Sequence, residues 1–143
     1  MTRRVPTTRP FPHERPLVAR HRLEVFVPVH LVNALNRRDG WAVSARRART
    51  QRDAVAAVVL ATLGRARFSV PPSRPKAITF DVYVGRAFDS DGCQAAVKHV
   101  RDGLIDAGVI ADDGPATGHV FTYAQHPRTP RAARGVRITV TLA

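Results

Sequence analysis

Six of the chain's 11 acidic residues stand between residues 89 and 113: Asp89, Asp91, Asp102, Asp106, Asp112 and Asp113. The chain as a whole is nonetheless strongly basic, with 23 Lys and Arg and a formal charge of +12. Acid gathered in one place on a basic chain points to a local task. Were Asp89, Asp91 and Asp113 to meet at about 5 Å, each pair would repel by roughly 3 kcal/mol at an effective dielectric of 20. A bound cation, a nearby ammonium or protonation would make such a cluster tolerable. Carboxylate oxygens are hard ligands, which suit Mg²⁺ or Mn²⁺ better than Zn²⁺. The same residues also fit a solvated helix face whose acidic start suits the helix dipole. Asp89 and Asp91 obey that simpler reading. Asp102 and Asp106 do not, being like charges four residues apart, and Lys98 precedes Asp102 in the weaker ion-pair orientation.

Two elements must position these groups. Ile78, Phe80, Val82 and Val84 alternate with Thr79, Asp81 and Tyr83, the pattern of a half-buried strand, and lead through Gly85, Arg86 and Phe88 to Asp89. A helix then starts, with Ser90 or Asp91 as its cap, and Gly108 supplies the left-handed residue that ends it. At about 100° per residue, Cys93, Val97, Val100 and Leu104 form its buried seam, flanked by Ala96 and Ala107. Asp91, Lys98 and Asp102 fall on the opposite side. Asp112 and Asp113 follow the exit from the helix, so strand end, helix face and exit are expected to converge.

The remaining chain supplies the scaffold. Residues 1–21 hold Pro6, Pro10, Pro12 and Pro16 among arginines and read as an extended basic arm, either touching phosphate or without function. Leu23, Val25, Val27 and Val29 alternate as a first strand, with Pro28 marking an edge or an end. Residues 30–43 read as a loop with Asn33, Arg37, Arg38 and Trp41; the Trp either stacks on a base or joins the core. Ser44 would cap a helix running to Leu63, with Arg46, Arg47, Arg49 and Arg52 in its first half and Val55, Val58, Val59 and Leu63 at core spacing. Arginine at a helix start opposes the dipole, so these side chains either meet phosphate or form a solvated face. Further strands are expected at His119–Gln125 and from Val136 to Leu142. The order β-α-β-α-β-β predicts an α/β (α+β) domain: one mixed sheet of about four strands with two main helices, over residues 22–143.

Composition limits the partners. The net charge favours a polyanion, most simply nucleic acid. A single Cys excludes an intrachain disulfide framework and a Cys-based zinc site. No apolar run approaches the roughly 20 residues of a membrane span, and the basic N-terminus has no apolar segment behind it. A cytoplasmic protein, bacterial or phage-encoded, is the expectation, with an Arg-rich transit peptide as the other reading of the N-terminus.

Asp89-x-Asp91, Lys98, Asp102-Gly103-Leu104, Ala107-Gly108-Val109-Ile110 and Asp112-Asp113 together resemble the RusA-type Holliday junction resolvase family. Its pattern is D-x-D-N, a helix bearing Lys, D-x-L, a glycine and a D-D pair; the likeness spans roughly residues 76–125. The resemblance implies a Mg²⁺-dependent homodimeric endonuclease, Mn²⁺ also serving, that nicks branched DNA in recombination and repair. Carried over, Asp89, Asp91 and Asp113 would hold the metal, and Lys98 would contact the scissile phosphate or orient the nucleophile. Asp102 would hold Lys98 or, with Asp112, support the liganding carboxylates. Arg37, Arg38, Arg46, Arg47 and Arg86 are the candidate DNA contacts. Two departures stand out: Gly92 replaces the motif's Asn, and the Asp91–Lys98 interval is longer by about one helical turn. The other readings are a nuclease preferring flaps or forks, a DNA-binding module of this fold without catalysis, and an RNA-binding accessory protein.

Overall fold

The computed structural model describes residues 17–33, 40–63 and 68–143. Its sheet has five strands: β1 (Leu17–Ala19), β2 (Arg22–Val27), β3 (Lys76–Tyr83), β4 (Val120–His126) and β5 (Gly135–Leu142). They lie side by side in the order β1-β2-β5-β3-β4. Two helices, α1 (Trp41–Leu63) and α2 (Ser90–Asp106), complete the domain. The mixed sheet and the order β-α-β-α-β-β are as the sequence predicts, with β1 added in front. Residues 17–19, placed by composition in the arm, pair antiparallel with residues 22–24 of β2. The arm's prolines and arginines before residue 17 lie outside the described residues.

Alternation fixes the faces. Val25 pairs with Ile138, Ile138 with Phe80, and Phe80 with Tyr123 across four strands. Because side chains alternate at period two, these residues share one face, and both helices cover it. Val55 and Val59 of α1 and Val97, Val100 and Leu104 of α2 are fully buried in the same core. The opposite face is polar: Glu24, buried at 8 % exposure, meets Arg137 at 3.4 Å, and Arg137 also donates to the Tyr83 hydroxyl. β2 ends at Val27, immediately before Pro28. Pro28 marks a strand end; among the described residues β1 pairs only with residues 22–24, and residues 25–27 pair with β5 alone.

α1 starts three residues before the expected cap at Ser44. The Gly40 carbonyl accepts from both Val43 and Ser44 backbone N–H groups at 3.1 Å, so the first turn closes on Gly40. Trp41 is consequently 86 % exposed on the first turn, which removes it from the core. The helix is tied to the loop after β2 by Gln51, whose Nε2 donates to the His30 carbonyl at 2.8 Å.

β3, α2 and β4 form the unit that carries the acidic segment, with β3 and β4 parallel. Lys76 begins β3 fully buried, its Nζ donating to the carbonyls of Pro71, Arg74 and Pro72 at 2.6, 2.9 and 3.2 Å. Burial pulls its pKa below the ordinary lysine value, with nearby Arg74 adding to the effect. Among the described residues, no helix is long and apolar enough to cross a membrane.

Candidate functional site

At the C-terminal end of β3 the chain passes through residues 84–89 into α2. Gln125 of β4 clamps this loop: its Oε1 accepts from the Phe88 N–H at 2.8 Å and its Nε2 donates to the Phe88 carbonyl at 2.9 Å. That fixes the approach to Asp89. The helix cap is Asp89 itself, not Ser90 or Asp91. Its backbone is extended, and its Oδ1 accepts from the Gly92 N–H at 2.6 Å. Asp91 is exposed in the first turn, so both carboxylates sit where the helix dipole favours negative charge.

Gly92 is buried, and the space its side chain would occupy is filled. A Cβ at this position would lie 2.6 Å from both Asn33 Nδ2 and Asp89 Oδ1. The Asn33 carboxamide, from the loop after β2, therefore occupies the space that a side chain at residue 92 would need. Sequence spacing did not select Asn33, since 59 positions separate it from Gly92 and nothing local joins them.

The buried seam of α2 is as expected, with Cys93, Ala96, Val97, Val100, Leu104 and Ala107 all buried. Burial raises the Cys93 thiol pKa, keeping it protonated and inert. Lys98 is exposed on the outer face, and no ion pair joins it to Asp102 among the described residues. His99 is the neighbour of Asp102 instead, with Nδ1 3.5 Å from Oδ2 and without hydrogen-bond alignment. The segment 102–104 lies inside α2 and not in a turn. Gly108 does adopt the left-handed conformation, with φ 77°.

Asp106, misplaced by local rules, is explained by a partner in α1. Arg52 Nε and Nη2 reach its two carboxylate oxygens at 3.0 and 2.8 Å, and this pairing holds the Asp106 pKa below the usual carboxylate value. Arg52 is thereby committed to holding the helices together and is removed from the basic face. Arg46 and Arg49 are exposed, while Arg47 is half-buried and engaged with a neighbour. Arg86 is exposed on the β3–α2 loop; Arg37 and Arg38 lie outside the described residues.

The expected convergence of three carboxylates is corrected by the structure. The Ala111 N–H donates to the Pro72 carbonyl at 3.2 Å, which places the exit from α2 beside the start of β3. Asp89 follows the other end of β3, a strand of eight residues. Asp113 stands 3.5 Å from Arg101 Nη2, and Arg101 lies roughly 18 Å along the helix axis from Asp89 at 1.5 Å per residue. Asp112 turns inward on its own loop, its Oδ1 accepting from the Asp113 N–H at 2.8 Å. Among the described residues no three His, Cys, Asp or Glu side chains gather at metal-holding spacing.

Arg101 organises that second location. It donates through Nη1 to the Tyr123 hydroxyl at 2.8 Å and lies 5.2 Å from the Phe121 ring centroid. Two aromatic residues of β4 thus hold the guanidinium that holds Asp113. The segment's last titratable neighbour is His119, whose Nδ1 accepts from the Lys76 N–H at 3.1 Å. Burial is the main cause lowering its pKa, followed by the Lys76 charge.

Mg²⁺ is commonly bound by one or two carboxylates together with water and substrate phosphate. Asp89 and Asp91 fit that requirement as a pair, for Asp89 spends only Oδ1 on its cap and Asp91 forms no ion pair among the described residues. Asp113 does not join them. In comparisons with known proteins, no family model and no curated sequence matches the chain.

Proposed function

We propose that the chain is a metal-assisted endonuclease that nicks branched DNA, taking the four-way junction as its substrate and acting as a homodimer. The observation that supports it most is the pair Asp89 and Asp91, held on a clamped loop at the C-terminal end of a strand, on a chain of net charge +12. Crevices at the carboxyl ends of strands are the usual ligand sites of open α/β sheets.

Asp89 Oδ2 and the Asp91 carboxylate would hold Mg²⁺ or Mn²⁺, which when bound activates water and neutralises charge on the phosphodiester. Asp89 spends Oδ1 on its cap bond, which leaves Oδ2 for the cation. Lys98 follows Asp91 by seven residues, roughly 10 Å along the axis on the same side. Its ammonium would engage a phosphate next to the one cleaved and position the strand. Two nicks across a four-way junction need two such sites, which a two-fold dimer supplies.

The test is cleavage of labelled four-way junction, duplex and flap DNA with Mg²⁺, Mn²⁺ or EDTA. Paired nicks in the junction are expected with metal only, and Asp91→Asn should reduce them about a hundredfold or more. Cleavage of flaps or forks in preference to junctions would overturn the substrate assignment. The separation of Asp113 from Asp89 and Asp91 favours a second reading: a branched-DNA-binding protein of the same fold that does not cut. Tight junction binding without nicks in either metal would establish that reading.

A further inference from the structure

Beside the carboxylate pair, the loops after β2, β3 and β4 enclose a cleft of about 880 Å³. Three arginines line it, Arg86, Arg131 and Arg134, and none of its lining residues is acidic. The arginines are held at the rim by a rigid construction. Thr129 and Arg128 donate their N–H groups to the carbonyls of Val84 and Gly85 at 3.0 Å each, which bonds the β4–β5 loop to the β3–α2 loop. Arg128 takes a left-handed φ of 59° to make that pairing. The short 3₁₀ turn Arg131–Ala133 follows, with Ala133 buried at 6 % exposure as its anchor and Arg131 outside.

Arg134 then folds back across Gly85. Its Nε donates to the Thr129 carbonyl at 3.0 Å, and a Cβ on Gly85 would lie 2.8 Å from its Cζ. A side chain at residue 85 would have to displace the guanidinium from this place. Arg86 and Arg131 are exposed and enter no ion pair among the described residues. Positive charge is thus concentrated on a concave surface whose walls include Leu31 and Phe88. Phe88 precedes Asp89 directly, so whatever lies in the cleft leads towards the carboxylate pair.

We infer that this cleft is the path of a DNA strand, with Arg86, Arg131 and Arg134 holding consecutive phosphates as the strand enters the candidate site. The inference rests on the nuclease reading for its choice of DNA, and it adds Arg131 and Arg134, from the basic connection between the last two strands, to the candidate DNA contacts. Guanidinium forks suit phosphate oxygens, and each phosphate neutralised releases counterions, so the cleft's contribution is read in the salt dependence of binding.

Binding of a fluorescent four-way junction is measured by anisotropy across a salt series for the whole chain, the double variant Arg131→Gln/Arg134→Gln, and Arg74→Gln. Arg74 is exposed at the opposite end of β3, and Arg74→Gln removes one positive charge there where each double variant removes two from the cleft. The double variant should bind about tenfold more weakly, with the slope of log affinity against log salt reduced by about 2, while Arg74→Gln is close to unchanged. A second pair, Arg86→Gln/Arg131→Gln, leaves the Arg134–Thr129 bond intact and should show the same loss. If both pairs bind like Arg74→Gln, the cleft is not the strand path, and metal-dependent nicking by the unaltered chain still stands or falls separately. Arginine-dependent binding with no cleavage in either metal overturns the nuclease and keeps the cleft. Arginine-dependent binding of RNA in place of DNA overturns the strand assignment.

Discussion

In the proposed site one carboxylate would serve two roles: Asp89 Oδ1 caps α2, and Oδ2 would be a ligand of the cation. Substitution separates them. Asp89→Ala should lose about 1 kcal/mol of stability with the cap, measurable by denaturant unfolding, as well as nicking. Asp89→Ser retains a capping oxygen, so it should keep most of that stability while nicking is lost. Equal activity in Asp89→Ser and the parent would exclude the carboxylate from the chemistry. Gly92 belongs to the same small volume. Placing the motif's side chain there, as Gly92→Asn, displaces the ends of Asn33 and Asp89, which are mobile side-chain atoms. The expected cost is the cap, again about 1 kcal/mol, read by denaturant unfolding. His119 adds a pH dependence. Burial holds its folded pKa below the ordinary histidine value, so the unfolded chain binds the proton more readily. Its contribution is present above pH 6.5 and is lost as pH falls through the lowered folded value. Unfolding midpoints at pH 7.5 and pH 5.5 should therefore differ less in His119→Gln than in the parent.

At the scale of elements, the contact between α1 and α2 is set by an absent side chain and a salt bridge. A Cβ on Gly103 would lie 2.6 Å from Val55 Cβ and 3.0 Å from the Arg52 carbonyl. Neither is the tip of a flexible chain, so Gly103→Ala must push the helices apart, costing about 1–3 kcal/mol as overpacking does. A melting temperature unchanged in Gly103→Ala would show that the helices are not in contact there. Arg52 and Asp106 close the same crossing from outside. This pairing explains what local rules could not: Asp106 opposes its own helix dipole and repels Asp102, yet a residue 54 positions earlier satisfies it. The seams of both helices, the alternation of β2, β3 and β5, and the left-handed Gly108 were legible because each is a periodic or single-residue signal. The Arg52–Asp106 and Asn33–Gly92 contacts were not, since they arise only once separate elements pack. The start of α1 at Trp41 was missed for another reason: Gly40 closes the first turn through its carbonyl and has no capping side chain to reveal it.

For the whole molecule, the acidic segment divides between two ends of one strand. α2 returns along β3, so Asp89 and Asp91 stand at the strand's finish and Asp112 and Asp113 near its start. Spacing could establish that Asp113 follows the helix; it could not show that the exit is bonded to Pro72. The basic surface is divided as well. Arg52 is consumed by a salt bridge and Arg101 by Asp113 and two aromatic rings, whereas the arginines of the cleft remain open to solvent. Sequence charge alone counts them all alike. One further feature sets apart the two lysines of the chain. Lys76 is wholly enclosed, with three carbonyls around its nitrogen, and Lys98 is exposed beside the candidate site. Apart from the chain's amino terminus, an amine-directed reagent used on the folded protein therefore has one side chain to attack. A dye or crosslinker attached through Lys98 would be a reporter placed by the fold itself, and DNA bound at Asp89 and Asp91 should shield it from labelling.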